Sequence, residues 1–514
     1  MQTCPSLGQS IRLDALLPEA AIVAADDIRV GGCSCDSRRI EPGQLFAALQ
    51  GRQHDGHDFV AEAIRRGCSA VLAQRPLPEA GVPVCVVPDS REAYARICQA
   101  LAGNPSHQLK VIGVTGTNGK TTTSCLIAGV LTAAGYQTGV LGTLGYLDGR
   151  TVAESSLTTP PCDQLADYFS RMVRNGCSHA VMEVSSHALD QSRVAGVRFD
   201  VACLTNIARD HLDYHATLQD YQLAKRKLFD HLAGEGLAVI NADDRPSAAI
   251  LRQLDGPVLT VGIHAAAEIT ATPIEQFLGE QTFLITAGSQ TVPVCTRMIG
   301  THHIYNCLVA AAVGLGYGID LPTVVRGLES VDYVPGRLER IECGQPFGVF
   351  VDFAHTPDAL PHVLAPLRPM TTGRLICVFG AGGNRDRKKR PLMGRAVESA
   401  ADLAIVTSDN PRMEDPQAII REVLAGFEAP DKALILPDRT EAICQALAQA
   451  HPGDCVLIAG KGHEKYQIIG NSRTRLDDCE IARQWLYEFQ PHSDKTPFTP
   501  LQGPAPGKPG RYTF

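Results

Sequence analysis

The stretch Lys110-Val-Ile-Gly-Val-Thr-Gly-Thr-Asn-Gly-Lys-Thr-Thr-Thr123 decides how this chain is read. Its first residues are an apolar run of strand type. A glycine loop follows, then Lys120 and Thr121, then a helical run that Gly135 can close. That order builds a phosphate cradle. Loop N–H groups and the helix N-terminus face an anion, Lys120 adds charge, and the Thr121 hydroxyl can ligate Mg²⁺. The strict phosphate-loop consensus places glycine where Val114 stands, and Gly116 and Gly119 supply the flexibility instead. The residues expected around nucleotide phosphates are therefore Gly116, Thr117, Asn118, Gly119, Lys120, Thr121 and Thr122.

At 514 residues the chain exceeds a single core and predicts about three domains. A net charge of −8 argues against a general nucleic-acid binder, which would carry a basic face. The 17 cysteines lie scattered with no CxxC pair, which reads as free thiols in a reducing compartment rather than disulfides or structural zinc. No basic-then-apolar leader and no bilayer-length apolar run are present, so a cytoplasmic protein without membrane insertion is expected.

The pattern predicts an α/β protein of three units and a tail. Residues 1–107 hold short strands such as Leu45–Leu49 and Ala70–Ala73 and a helical run at Phe59–Arg66. Residues 108–340 begin with the glycine loop and alternate strands at Ala180–Val184, Val201–Thr205 and Leu237–Asn241 with helices at Cys162–Arg174 and Leu218–Leu232. This alternation predicts a parallel sheet with ligands at the strands' C-terminal ends. Glu268–Pro293 reads as an inserted hairpin, and Ile304–Tyr317 as a helix. Residues 341–490 repeat the alternation in a Rossmann-like unit, with strands at Gly348–Asp352, Leu375–Phe379, Leu403–Thr407 and Cys455–Ala459. Gly380-Ala-Gly-Gly383 loosely echoes a dinucleotide fingerprint, but its third glycine would fall at Arg385, so no nicotinamide site is expected. The tail 491–514 lacks apolar periodicity and reads as disordered.

Polar residues gather at the predicted strand ends. Glu183 closes one strand beside the phosphate loop, where a second Mg²⁺ contact belongs. Asn206 closes the next, ahead of Arg209, Asp210, His211, Asp213 and His215. His211 and His215 would share a helix face, but Leu212 stands where a zinc protease needs its glutamate. His211 is expected near nucleotide-bound Mg²⁺ and His215 in a structural role. No GxSxG elbow surrounds Ser185 and Ser186. By spacing alone Lys225 sits on a basic helix face with Arg226 and Lys227.

In the third unit, Arg385 and Arg412 lie on loops after adjacent strands, and Gly460-Lys-Gly-His-Glu464 adds a carboxylate. Arginine forks bind carboxylates, and a glutamate can hold an ammonium, so the set suits a zwitterionic amino acid. Lys388 and Lys389 read as solvated surface.

These motifs in this order resemble the Mur ligases of peptidoglycan synthesis. The likeness covers about Cys35 to Leu486. Besides the loop Thr115–Thr121, it rests on Met182-Glu-Val-Ser-Ser-His-Ala188, Asn206-Ile-Ala-Arg-Asp-His-Leu-Asp-Tyr-His215 and Val351-Asp-Phe-Ala-His-Thr-Pro357.

The resemblance implies three domains: an N-terminal uridine-nucleotide unit, a central ATPase unit and a C-terminal amino-acid unit. It implies Cys35, Ser37 and Gln53 as uridine-nucleotide contacts. Thr158, Thr159, Ser185, Gln191 and Arg193 would hold a muramoyl dipeptide, with Leu157 replacing the family's asparagine. Lys225 matches a lysine that the family carbamylates, which makes it a metal ligand with Thr121, Glu183 and His211. Asn306, Arg337 and Asp352 match positions near adenine and ribose. Arg385, Asp409, Asn410, Pro411, Arg412, Gly460 and Glu464 match an amino-acid site. The Asp-Asn-Pro-Arg sequence resembles the diaminopimelate-specific form rather than the lysine-specific one.

The implied activity is ATP- and Mg²⁺-dependent ligation of meso-diaminopimelate to the D-glutamyl γ-carboxyl of a UDP-N-acetylmuramoyl dipeptide by a monomer. The implied reaction passes through an acyl phosphate, with Lys120, Lys225 and His211 as the catalytic set. A folylpolyglutamate synthase-like ligase and a nucleotide switch without ligase activity are the alternatives.

Overall fold

A computed structural model describes residues 10–51, 54–211 and 214–489. The Gln53 expectation and the 491–514 tail lie outside them.

The central unit is built on one sheet of eleven strands. The strand Lys110–Thr115 lies in its middle, parallel to His179–Glu183 on one side and Phe199–Leu204 on the other. All three are apolar and almost wholly buried, as strands covered on both faces must be. The helix Lys120–Ala133 packs with Thr301–Gly316 and Leu321–Glu329 over one face, sealing a core of Ile112, Val114, Leu126, Ile127, Leu308 and Val324. The helix Cys162–Arg174 buries Leu165, Phe169 and Met172 on the other face.

Two expectations for this unit are corrected. The segment read as an inserted hairpin is a three-stranded meander, Ile269–Gln276, Gln281–Ala287 and Gln290–Thr296, and it extends the main sheet rather than standing apart. Its alternating burial, with Phe283 and Ile285 inward, closes the core against the long helix. The predicted helix Leu218–Leu232 ends at Arg226; a short 3₁₀ turn at Phe229–His231 follows, and Leu232 already starts the strand Leu232–Asn241. Phe229 is buried there, so packing overrides helical continuation.

The N-terminal unit is a five-stranded sheet in the order Ala21–Val23, Val84–Val86, Ala70–Ala73, Leu45–Ala47, Cys33–Ser34. Its helix Ser90–Leu101 packs on Cys162–Arg174 of the central unit. The third unit is a six-stranded sheet, parallel except for its first strand, Glu339–Arg340, which pairs antiparallel with Gly348–Asp352. That strand falls just ahead of residue 341. The strands Gly348–Asp352, Leu375–Phe379 and Cys455–Ala459 occupy the residues expected. The edge strand Leu434–Ile435 and the hairpin Tyr466–Ile469/Ser472–Arg475 were not anticipated. The described cysteines are free thiols. Among the described residues no helix is long and apolar enough to cross a membrane.

Candidate active site

The three central strands end level with one another, which sets Glu183 opposite Val114 in register. The chain leaves Thr115 through Gly116, whose φ of +151° favours glycine and whose Cβ would lie 1.9 Å from the Thr205 hydroxyl. The loop is then tied to the neighbouring strand tip. Thr117 N donates to Asn206 O at 2.8 Å, Asn118 N to Asn206 Oδ1 at 3.0 Å, and the Thr205 hydroxyl to Asn118 O at 2.6 Å. Thr117 Oγ1 lies 3.1 Å from the Tyr221 hydroxyl and accepts from Ala208 N at 2.9 Å. Asn206 and Tyr221 thus shape the cradle, and neither received a role from sequence. The position of Asn206 just past a central strand was the available signal.

Lys120 folds back so that Nζ donates to Gly116 O and Thr117 O, both at 2.9 Å. Burial lowers its pKa, while Glu183 and Asp210 oppose that shift. Lys225, 1% exposed, donates to the same Gly116 carbonyl at 2.8 Å and lies 4.4 Å from the centre of the Tyr221 ring. Desolvation, reinforced by the charge of Lys120, pushes its pKa well below the ordinary lysine value. It is therefore no part of a solvated face, whereas Lys227 is exposed.

Glu183 is buried at the centre of an oxygen cluster. The Thr121 hydroxyl donates to its Oε2 at 3.0 Å, Thr143 N to Oε1 at 2.7 Å, and the Thr143 hydroxyl to Oε2 at 3.1 Å. Thr121 and Glu183 are hard oxygen donors at the mouth of a phosphate loop, a donor set that fits Mg²⁺ completed by phosphate oxygens and water. An amine such as Lys225 cannot be an anionic ligand until it gains a carboxylate. The Thr122 side chain is buried in the first turn of the helix, and Thr123 reaches Asn306 Oδ1 at 3.2 Å.

His211 and His215 do not lie on a helix. His211 has φ +53°, and His215 N donates to His211 O at 2.9 Å. Both rings join His187, Tyr214 and Tyr221 in an aromatic cluster with centroids 4.0–6.2 Å apart. Among the described residues no group of three or more His, Cys, Asp or Glu could hold a metal ion by itself.

Beside this cluster lie the expected dipeptide residues. The Thr159 hydroxyl donates to Glu183 O at 2.9 Å and accepts from Ser185 N at 3.0 Å. Arg193 donates to Thr159 O at 3.1 Å and, through Nη2, to Gln191 Oε1 at 2.7 Å. Thr158 lies 3.3 Å from the Thr143 hydroxyl. Leu157 is exposed, and its backbone N–H donates to the Tyr146 hydroxyl at 3.1 Å, which fixes the entry to the threonines. In the N-terminal unit Cys35 is exposed, whereas the Ser37 hydroxyl is buried and donates to Glu62 at 2.8 Å.

Arg337 connects the central and third units. Its Nη2 donates to the Thr121 hydroxyl at 3.3 Å, and its guanidinium lies 4.9 Å from the centre of the Phe353 ring. Asp352 is buried, and its oxygens accept from Leu338 N and Ala354 N, both at 2.7 Å. It fixes the chain around Arg337, and burial raises its pKa.

At the tips of the third sheet, Arg412 sits at φ +52° with Nη1 on Gly383 O at 2.7 Å. Gly383 is required by close approach: a Cβ would lie 1.8 Å from Pro411 O. The glycines read as a weak dinucleotide echo thus let two loops pack. Asn410 Nδ2 donates to Glu464 Oε2 at 2.8 Å, and buried Asp409 accepts from Asn410 N at 2.6 Å. Gly460 has φ +119° and leaves room for Asp409 Oδ2. Arg385 is exposed. Lys388 is exposed as expected, but Lys389 is half-buried, donating to His355 O at 3.0 Å with its pKa lowered by burial. The third unit meets the central unit through Arg473 Nη2, which donates to Glu154 Oε1 at 2.9 Å, and through Arg337.

Family models match three successive stretches: the Mur ligase family catalytic domain at residues 29–101, the middle domain at 114–314 and the glutamate ligase domain at 336–462. A protein of Geobacillus thermodenitrificans named UDP-N-acetylmuramoyl-L-alanyl-D-glutamate–2,6-diaminopimelate ligase is 45% identical over 460 residues, covering 88% of this chain and 94% of its own. The chain belongs to the Mur ligase family. A Gloeobacter violaceus relative of the same name is 42% identical over 487 residues, covering 93% and 98%. A solved Mur ligase structure, titled as that same ligase, superposes with a TM-score of 0.68 at 32% identity over 93% of this chain and 99% of its own. The three-domain α/β architecture is therefore that of the Mur ligases.

Proposed function

We propose that this Mur ligase joins meso-diaminopimelate to the D-glutamyl γ-carboxyl of UDP-N-acetylmuramoyl-L-alanyl-D-glutamate at the expense of ATP, as a monomer in the cytoplasm. The observation that carries the reading is the pairing of two sites in one chain. A phosphate loop with Thr121 and Glu183 lies at the strand tips of the central sheet, and a set holding both a guanidinium, Arg412, and a carboxylate, Glu464, lies at the strand tips of the third sheet. The names of the two relatives and of the solved structure support the choice of substrates.

In this reading the N–H groups at the N-terminus of the helix Lys120–Ala133 and Lys120 itself bind the triphosphate. Lys120 leaves its two loop carbonyls and turns to the transferring phosphoryl group, where its charge stabilises the transition state. Thr121, Glu183, His211 and carbamylated Lys225 are the residues that would hold Mg²⁺, which supplies charge neutralisation at the phosphate oxygens. The depressed pKa of Lys225 gives a neutral amine that can add CO₂, forming an N–C bond and releasing a proton. Asn306, Arg337 and Asp352 frame the nucleoside. Thr158, Thr159, Ser185, Gln191 and Arg193 orient the dipeptide so that its γ-carboxylate meets the γ-phosphate, and Cys35, Ser37 and Gln53 hold the uridine end. The amine of diaminopimelate then displaces phosphate from the acyl phosphate. Arg385, Asp409, Asn410, Pro411, Arg412, Gly460 and Glu464 hold that amino acid. The protein's main contribution is to position three ligands and exclude water.

The test is phosphate release with each substrate omitted in turn. Release that requires ATP, the UDP-muramoyl dipeptide and diaminopimelate together supports the reading. Release indifferent to the last two supports a nucleotide switch instead. A folylpolyglutamate synthase-like activity leaves the N-terminal sheet without a task.

A further inference from the structure

We propose that Lys461 is a positioning residue of the amino-acid site, orienting Glu464 and Asn410 toward the ligand. This inference rests on the ligase reading above. Lys461 is fully buried and lies between Gly460 and Gly462, directly after the strand Cys455–Ala459. An ammonium has three N–H donors, and here each has an acceptor: Tyr466 O at 2.6 Å, Glu464 Oε2 at 3.1 Å and Asn410 Oδ1 at 3.3 Å.

These three bonds fix more than one side chain. Asn410 Oδ1 also accepts from Ile468 N at 3.0 Å, so the carbonyl end of that amide faces inward and Nδ2 is directed to Glu464 Oε2. Glu464 Oε2 thereby takes two hydrogen bonds. Its Oε1 receives none among the described residues, while the side chain stays about one-third exposed (36%). One carboxylate oxygen is thus anchored and the other is left without a protein donor on a partly exposed side chain, a geometry suited to an ammonium of the amino acid. The bond to Tyr466 O pins the start of the hairpin Tyr466–Arg475. That hairpin carries the loop of Arg412, through Arg412 N donating to Ile468 O at 2.9 Å and Gly470 N to Arg412 O at 2.6 Å. One ammonium therefore ties together the carboxylate, the amide and the support of the guanidinium.

A role in packing alone does not account for it. Burying a lysine carries a desolvation cost that a methionine of similar length avoids, and the three bonds it makes here each orient a group of the amino-acid site. Lys461 does not touch the reacting atoms; it acts through Glu464 and Asn410.

The test compares Lys461→Met with the unaltered enzyme in steady-state phosphate release, with meso-diaminopimelate as the varied probe. The expected result is a KM for diaminopimelate raised on the order of tenfold or more, with kcat and the KM values for ATP and the UDP-muramoyl dipeptide changed less than about twofold. In a double-mutant cycle, Lys461→Met should cost clearly less on top of Glu464→Gln than it costs alone, because part of the lysine's effect runs through that carboxylate. Equal losses on all three substrates, an unchanged KM, or additive effects in the cycle overturn the proposal. Lys461→Gln, which keeps two N–H donors on a shorter side chain, carries the same test where the methionine variant does not fold, with a smaller rise in KM expected. Unaltered enzyme that does not ligate diaminopimelate refutes the ligase reading itself; unaltered enzyme that does, with a variant of unchanged KM, refutes only the role of Lys461.

Discussion

Arg412→Ala tests the amino-acid site most directly, because the structure separates its binding role from its structural one. The backbone of residue 412 is held by the hairpin through Arg412 N–Ile468 O and Gly470 N–Arg412 O, and alanine keeps both bonds. Alanine also bears the same left-handed strain at φ +52° that arginine bears, so no backbone relief confuses the comparison. The side chain's one protein hydrogen bond among the described residues, Nη1 to Gly383 O at 2.7 Å, is lost, a stability cost of about 1 kcal/mol. The remaining guanidinium N–H groups have no hydrogen-bond partner among the described residues and would pair with the distal carboxylate that diaminopimelate has and lysine lacks. Losing a charged hydrogen-bonded pair costs about 1.5–3 kcal/mol, or roughly a 10- to 150-fold fall in kcat/KM. Lysine offers nothing to that guanidinium and should lose less than about threefold. The assay is phosphate release with each amino acid under saturating ATP and UDP-muramoyl dipeptide, alongside a melting curve. The ratio of the two kcat/KM values should collapse toward unity. Equal losses on both amino acids, or no loss on diaminopimelate, would refute the reasoning.

Three further outcomes are expected. Stripping bicarbonate and CO₂ from the enzyme should lower activity, and restoring them should recover it, while Lys225→Ala should be insensitive to both; mass spectrometry under native conditions checks the modification. Glu183→Gln keeps the hydrogen bonding of Thr143 but removes the anion, so the Mg²⁺ concentration for half-maximal activity should rise on the order of tenfold or more. His179, buried between Tyr136 and Tyr317, has its pKa lowered to about 4 by desolvation. The unfolded chain binds that proton near pH 6.5, so stability is fully present above pH 6.5 and is lost as the pH falls toward 4. His179→Phe should flatten that loss, by up to about 3 kcal/mol in denaturant titrations at pH 4 relative to pH 7.

The parts of the fold legible in sequence were those written in local chemistry. The strand Lys110–Thr115, its glycine loop and the helix beginning at Lys120 could be read from the order of residue types. Cys162–Arg174 matched its predicted helix because its apolar positions repeat on one face. The meander was half-read because alternation announces strands but not which sheet they join. Tyr466–Arg475 went unread because its residues are largely exposed and lack a buried face. In the site, carboxylates and hydroxyls at strand tips were visible; the states of buried lysines were not. Lys225, Lys389 and Lys461 look alike in sequence, yet one shares a carbonyl with Lys120, one leans on His355 and one is enclosed completely. Only long-range packing distinguishes them.

Two lysines meet at the carbonyl of Gly116, beside the N-terminus of the helix Lys120–Ala133. Such a nest does not distinguish the terminus of a nucleotide from any other tetrahedral oxyanion of similar size. Sulfate, vanadate or orthophosphate in a working solution should therefore compete for it. Kinetic measurements on this enzyme belong in amine buffers, and crystals grown from sulfate should show density at that carbonyl before any nucleotide is added.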